Sequence, residues 1–253
     1  MKPKILFYSL AFFVFTSCKT PLNVTAVQTQ KNISIASNLT SDREAEMMIS
    51  PYKKSLESQM NAKISYTNFD LNKQGDNSNL GNLLADYTYE GAVDWASKNK
   101  IPKIDAAVIN IGGIRSTIGK GDILLKHIYE VMPFENELVI VKMKGADMQK
   151  LFNYYLETQK NNPVSKLKIE TSEGKIVQAL IDNSSIENSK NYYIATSDYL
   201  ALGGDNMKFF ASGEMISTGI KLRDLYVEKF RKNPEIIPPN DVRLIFNRQK
   251  NSK

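Results

Sequence analysis

One cysteine, Cys18, and one histidine, His127, occur in 253 residues, and each scarcity excludes a class of protein. A single thiol cannot form an internal disulfide, so a disulfide framework and a four-cysteine zinc module are both ruled out. A single imidazole rules out any metal centre that needs two, and a haem held by two histidines. No dense block of one charge is present. The 33 Lys and Arg against 27 Asp and Glu leave +6 spread along the chain, which argues against a nucleic-acid polymer as partner. The apolar run at residues 5–15 has eleven members, well short of the roughly 20 that span a bilayer.

What is present begins with an address. Lys2 and Lys4 precede that apolar run, and Phe15-Thr16-Ser17 leads into Cys18. Residues 1–17 read as an export signal that resembles those of bacterial lipoproteins, with cleavage before Cys18 and the thiol taking the lipid. Lys19 in place of an aspartate resembles the outer-membrane sorting pattern. The expectation is an exported chain, lipid-anchored to a bacterial membrane, on the periplasmic or surface side of the outer membrane. Cleavage removes Lys2 and Lys4, which weakens a nucleic-acid partner further. Residues 18–40, rich in Thr, Asn, Gln and Val, suit a flexible tether, and residues 41–253 a single domain.

Ser41-Asp42-Arg43-Glu44 has capping-box spacing and predicts a helix, or two helices divided at Pro51, carrying Met47, Met48, Leu56 and Met60. From Asn79 a stronger helix is expected, with Leu80, Leu83, Leu84, Tyr87 and Val93 inward and Asp86, Glu90 and Lys98 in water. Residues 104–111 read as a buried strand running into Gly112-Gly113. Asp122 is expected to cap a helix ending before Pro133, with strand 138–143 and a helix after Gly145 following. Residues 166–171 and 175–181 alternate across Glu173-Gly174, which predicts a hairpin. A strand at 192–196, a helix at 219–231 and a closing strand at 242–246 complete the pattern. The fold class is α/β or α+β, a single domain with a mixed β-sheet and packed helices.

Three segments could carry chemistry. Asn110-Ile111-Gly112-Gly113-Ile114-Arg115 places two glycines and an arginine at a strand mouth, where a backbone can approach an anion or a ribose. Pro133-Phe134-Glu135-Asn136 sets an aromatic on a loop with an amide two residues on. Asp198-Tyr199 running to Gly203-Gly204-Asp205 offers an aromatic, an elbow and a carboxylate. Taken singly, each also reads as an ordinary turn or a core plug.

In series, Asn79-Leu80-Gly81-Asn82-Leu83 and these three segments resemble the C-terminal domain of the 5'-nucleotidase family, which includes UDP-sugar hydrolases and 2',3'-cyclic phosphodiesterases. The resemblance covers residues 41–246. It implies a domain that binds the nucleoside part of a substrate in nucleotide catabolism. By position Phe134 and Tyr199 match the two aromatics that sandwich the base, and Asp205 the acceptor of ribose hydroxyls. Arg115 matches the cation facing ribose and phosphate, and Asn110 and Asn136 match polar contacts. Gly112, Gly113, Gly203 and Gly204 keep the walls low.

Two departures from the family shape the functional expectation. The family usually presents an arginine a few residues before the helix start at Asn79, a region that here reads Lys73-Gln74-Gly75-Asp76-Asn77-Ser78. Lys73 is the candidate substitute, a point charge without the guanidinium fork. The family's metallophosphatase domain, with its two metal ions, has no counterpart in these residues, so no catalytic residue is assigned and no cofactor is expected in this chain. The first expectation is the recognition half of a split 5'-nucleotidase-type phosphohydrolase, with divalent metals held by a separately encoded metallophosphatase subunit. The alternative is a non-enzymatic nucleoside- or nucleotide-binding surface lipoprotein. A structural relic, and metal-free catalysis by Asp198 or Asp205, are the remaining readings.

Overall fold

The computed structural model describes residues 26–32, 34 and 40–248. The export signal at 1–17, Cys18 and much of the tether fall outside them. Contacts divide the chain after Met48, and the unit Ile49–Lys253 holds both hydrophobic cores.

Helix α1 (Arg43–Met60) starts on Asp42, whose Oδ1 accepts from the Glu44 and Ala45 amides at 2.9 and 3.2 Å, so Asp42 is the cap and not Ser41. Pro51 lies inside α1 and does not divide it, since one lost backbone bond leaves the flanking turns intact. None of α1 is buried, and Met47, Met48, Tyr52 and Leu56 are exposed.

Strand β1 (Lys63–Thr67) leads to α2 (Asn79–Lys98), the longest helix among the described residues. Leu80, Leu83, Leu84 and Tyr87 are buried as expected, but Val93 is exposed. It lies about 180° round the helix from Leu84 at 3.6 residues per turn, whereas Ala92 and Ala96 lie about 80° and 120° from it and turn inward. Strand β2 (Ala106–Val108) is wholly buried and shorter than the apolar run around it, and it ends in a single 3₁₀ turn, Ile111–Gly113. Strand β3 (Gly121–Leu124) pairs antiparallel with β1. Asp122 therefore sits in a strand, 2.6 Å from Lys63, and caps nothing. The cap of α3 (Leu125–Val131) comes from His127, whose Nδ1 accepts the Leu124 amide at 3.2 Å.

Strand β4 (Glu137–Lys144) and α4 (Gly145–Thr158) are followed by β5 (Val164–Ser165) and the hairpin β6 (Leu167–Ser172) and β7 (Lys175–Ile181). Glu173 (φ 50°) and Gly174 (φ 70°) are both left-handed, the twist that a two-residue hairpin turn needs. Then come β8 (Ser184–Ser185), β9 (Asn191–Ser197) and α5 (Asp198–Ala201). Strand β10 (Glu214–Lys221), α6 (Leu222–Lys232) and β11 (Leu244–Asn247) close the chain. Gly219 is thus in a strand, and the helix expected from 219 begins at Leu222.

Three sheets result in place of the one expected. The central sheet has the order β10-β4-β9-β2-β5, with only β2 and β9 parallel, and the second has the order β11-β6-β7-β8 with β11 parallel to β6. The fold is mixed α/β. Alternation in the central strands feeds two cores. Ala107, Leu138, Ile140 and Ala195 face α2 and α6, with Leu84, Tyr226 and Phe230. Ala106, Val108, Val139, Val141 and Ile194 face α4, with Phe152 and Tyr155. Helices thus pack on both faces of the central sheet, and the loops at the ends of β2, α3 and β9 border one cavity.

An irregularity in β10 bends the edge strand. The register shifts between Ser217 and Ile220, and Gly219 takes φ 72°. The Glu137 carboxylate holds this bulge, accepting the Gly219 amide at 2.8 Å and the Ser217 hydroxyl. The Ser217 hydroxyl, then the Gly219 amide, pull its pKa below the ordinary 4.5, and the Arg243 guanidinium pulls Asp241 below 3.8. Unfolding returns both to ordinary values, so their stabilisation is complete above about pH 5 and is lost as pH falls through the lowered folded-state values. Melting temperature should drop below about pH 4, and Glu137→Gln should shrink that drop while melting lower at pH 7. A variant with the wild-type acid profile would show that the bulge carries none of it.

Candidate functional site

A cavity of about 350 Å³ opens where three loops meet, lined by Asn110, Gly112, Gly113, Arg115, Phe134, Asn136, Tyr199 and Asp205. These loops are far apart in sequence. The first continues β2, the second joins α3 to β4, and the third follows β9 through α5. All eight lining residues are among those singled out from the sequence. Gly203 and Gly204, also expected at the site, are not among the lining residues and form the elbow between Tyr199 and Asp205.

The first loop is shaped by its glycines and tied at several points. The Gly113 amide bonds the Asn110 carbonyl at 3.0 Å, and a Cβ on Gly113 would sit 3.0 Å from Asn110 Oδ1. The Arg115 amide bonds the Val131 carbonyl at 2.9 Å, which joins this loop to the end of α3. Lys73 donates from Nζ to the Ile114 carbonyl at 2.6 Å, so its charge stands beside the Arg115 backbone. The Arg115 guanidinium lies 5.8 Å from the centre of the Phe134 ring and donates to the Gly112 carbonyl at 3.3 Å.

The second loop rests on the junction of β10 and α6. Arg223 stacks on Tyr129 at 4.6 Å, donates to the Pro133 carbonyl at 3.4 Å and pairs with the Glu135 carboxylate. Lys221 donates to the Glu135 carbonyl at 2.9 Å, and the Leu222 amide to the Asn136 carbonyl at 2.9 Å. With its backbone held from below, the loop leaves the Phe134 ring 40% exposed, an aromatic face with no core to fill.

In the third loop Ser197 Oγ accepts the Leu200 amide at 3.2 Å and starts α5. Gly203 (φ 94°), Asp205 (φ 51°) and Asn206 (φ 65°) then turn through left-handed backbone. The turn brings the Asp205 carboxylate back to the Tyr199 hydroxyl, 3.0 Å away.

Sequence reasoning missed two residues that join the first and third loops. Asn162 is fully buried. Its Oδ1 accepts the Ile111 amide at 3.0 Å, and its Nδ2 donates to the Tyr154 hydroxyl at 3.2 Å. Tyr154 in turn donates to the Asp205 carbonyl at 3.2 Å. No local pattern marks Asn162 for this role, since its side-chain partners come from two elements, the turn at Ile111 and α4.

His127 spends Nδ1 on a backbone amide, and no three His, Cys, Asp or Glu side chains converge among the described residues. The cavity presents two aromatic faces, two amides, one carboxylate and one guanidinium.

A family model described as 5'-nucleotidase, C-terminal domain matches residues 57–212. The trifunctional nucleotide phosphoesterase protein YfkN of Bacillus subtilis is 27% identical over 247 residues, covering 84% of this chain and 16% of that protein. The 5'-nucleotidase of Vibrio vulnificus is 27% identical over 222 residues, covering 81% of this chain and 37% of that protein. The chain thus spans only a minor part of each relative. In fold it is similar to the crystal structure of a 5'-nucleotidase precursor from Thermus thermophilus, with TM-score 0.67 and 22% identity over 81% of this chain and 43% of that one.

Proposed function

Since the chain belongs to the 5'-nucleotidase C-terminal domain family, we propose that it is the nucleoside-recognition part of a nucleotide-hydrolysing assembly. The observation that carries this reading is the convergence of Phe134, Tyr199, Arg115, Asp205, Asn110 and Asn136, from three loops, on one cavity. Phe134 and Tyr199 take the base, and stacking contributes about 1–3 kcal/mol per base. Asp205 accepts from ribose hydroxyls, and Asn110 and Asn136 meet the edge of the base. Arg115 faces ribose and phosphate through charge-assisted hydrogen bonds, with the Lys73 charge behind it. A separately encoded metallophosphatase docks over this face and supplies the divalent metals. Both partners are exported, and this one is anchored through a lipid on Cys18.

Calorimetric titration of the full chain with adenosine, AMP and UDP-glucose, beside a phosphate-release assay in manganese, tests the reading. Nucleoside binding without phosphate release is expected. Phe134→Ala should weaken it about fivefold to a hundredfold. Absence of binding, or a Phe134→Ala variant that binds as wild type does, would sink the proposal. Binding that gains no nucleotidase activity in an equimolar mixture with the metallophosphatase would leave a lipoprotein that only captures nucleosides.

A further inference from the structure

The Tyr199 ring is 42% exposed, yet its hydroxyl is committed twice to one residue. It donates to Asp205 Oδ1 at 3.0 Å and accepts the Asp205 amide at 3.1 Å. From the other side the Tyr154 hydroxyl donates to the Asp205 carbonyl at 3.2 Å. Two tyrosines therefore hold both main-chain groups of Asp205 and one of its carboxylate oxygens. Asp205 lies in a left-handed conformation (φ 51°, ψ 24°), a region that aspartate reaches more readily than most L-residues, and these bonds tie it there. Oδ2 of Asp205 has no hydrogen-bond partner among the described residues, and Asp205 lines the cavity.

None of this is needed for stacking, because a phenylalanine presents the same π face. The hydroxyl also fills no core position. Its work is on Asp205: with Oδ1 and the backbone fixed, the carboxylate is oriented before a ligand arrives and loses little rotamer freedom on binding. A carboxylate aligned in advance distinguishes a sugar that can donate from one that cannot, since an acceptor left unpaired on binding is penalised. We propose that the Tyr199 hydroxyl is a positioning group that sets Asp205 to select ribonucleosides over nucleosides lacking the vicinal hydroxyls. The inference rests on the nucleoside reading above and adds a second role to Tyr199.

The test compares adenosine with 2',3'-dideoxyadenosine, by calorimetry on the full chain, in wild type and Tyr199→Phe. Wild type should prefer adenosine. In Tyr199→Phe the affinity for adenosine should fall about tenfold and that for dideoxyadenosine less than about threefold, so that the preference shrinks. On an Asp205→Ala background, Tyr199→Phe should no longer change the ratio. Equal losses for both ligands, which leave the ratio unchanged, would overturn the inference while leaving the nucleoside reading intact. Wild type that binds neither ligand would overturn that reading and this inference with it.

Discussion

Arg243→Met should destabilise the domain by about 3 kcal/mol and lower its melting temperature by about 6–12 °C, measured by calorimetry or circular dichroism at pH 7. Arg243 is 7% exposed and every donor of its guanidinium is used. Nε and Nη2 reach the two oxygens of Asp241 at 2.8 and 2.9 Å, while Nη1 and Nη2 reach those of Asp86 at 2.8 Å each. Nη1 also donates to the Val164 carbonyl at 2.7 Å. One side chain thereby joins α2, β5 and the approach to β11. Methionine keeps the bulk but strands the Asp86 carboxylate, which also accepts from Ser165 at 2.6 Å. Asp241 is more exposed and can be hydrated, which places the loss at the lower end for a broken buried pair. Arg243→Lys should recover only part of it, because an ammonium cannot bridge two carboxylates with a planar fork. A melting shift under about 2 °C for Arg243→Met would show that desolvation of the guanidinium already cancels its bonds.

Gly204→Ala should cost about a hundredfold or more in adenosine affinity while leaving the fold intact. A Cβ at this position would stand 2.5 Å from Tyr199 Cζ and 2.6 Å from the Tyr199 carbonyl oxygen. The carbonyl belongs to α5 and cannot retreat, so the ring must swing away or the elbow must move. Either displaces Tyr199 and Asp205 together. Loss of a stacked base, about 1–3 kcal/mol, then combines with loss of a hydrogen bond to a charged acceptor, about 1.5–3 kcal/mol. The elbow is partly exposed and outside both cores, so the melting temperature should change little. A Gly204→Ala variant that binds adenosine like wild type would show that Tyr199 is not a fixed wall of the site.

Much of the framework was legible because its signals are local. The spacing of Leu80, Leu83, Leu84 and Tyr87 marks α2, and Glu173-Gly174 between two alternating runs marks the β6–β7 hairpin. The resemblance named the residues that now line one cavity, but it did not show how they are held. Strand β10 was hidden because its bulge at Thr218 and Gly219 breaks the alternation, so 219–231 reads as one helix. That difference matters for the site, since Lys221, Leu222 and Arg223 at this junction support the Phe134 loop. Asp86 reads as a solvated residue of a helix face, and its partner Arg243 is 157 positions away. Asp122 has the chemistry of a cap, and only pairing with β1 commits it to a strand.

The residues by themselves determined the mixed α/β character, the positions of the main helices and strands, and which loops carry aromatic, amide and charged groups. Periodicity, turn chemistry and composition act over a few neighbours, so a linear reading reaches them. Tertiary structure alone decided that these loops share one cavity, that Asn162 and Tyr154 link two of them, and that the Tyr199 hydroxyl turns onto Asp205. Each depends on backbone groups brought together from distant segments, and a buried polar group takes whichever partner the fold presents in order to remain hydrogen-bonded.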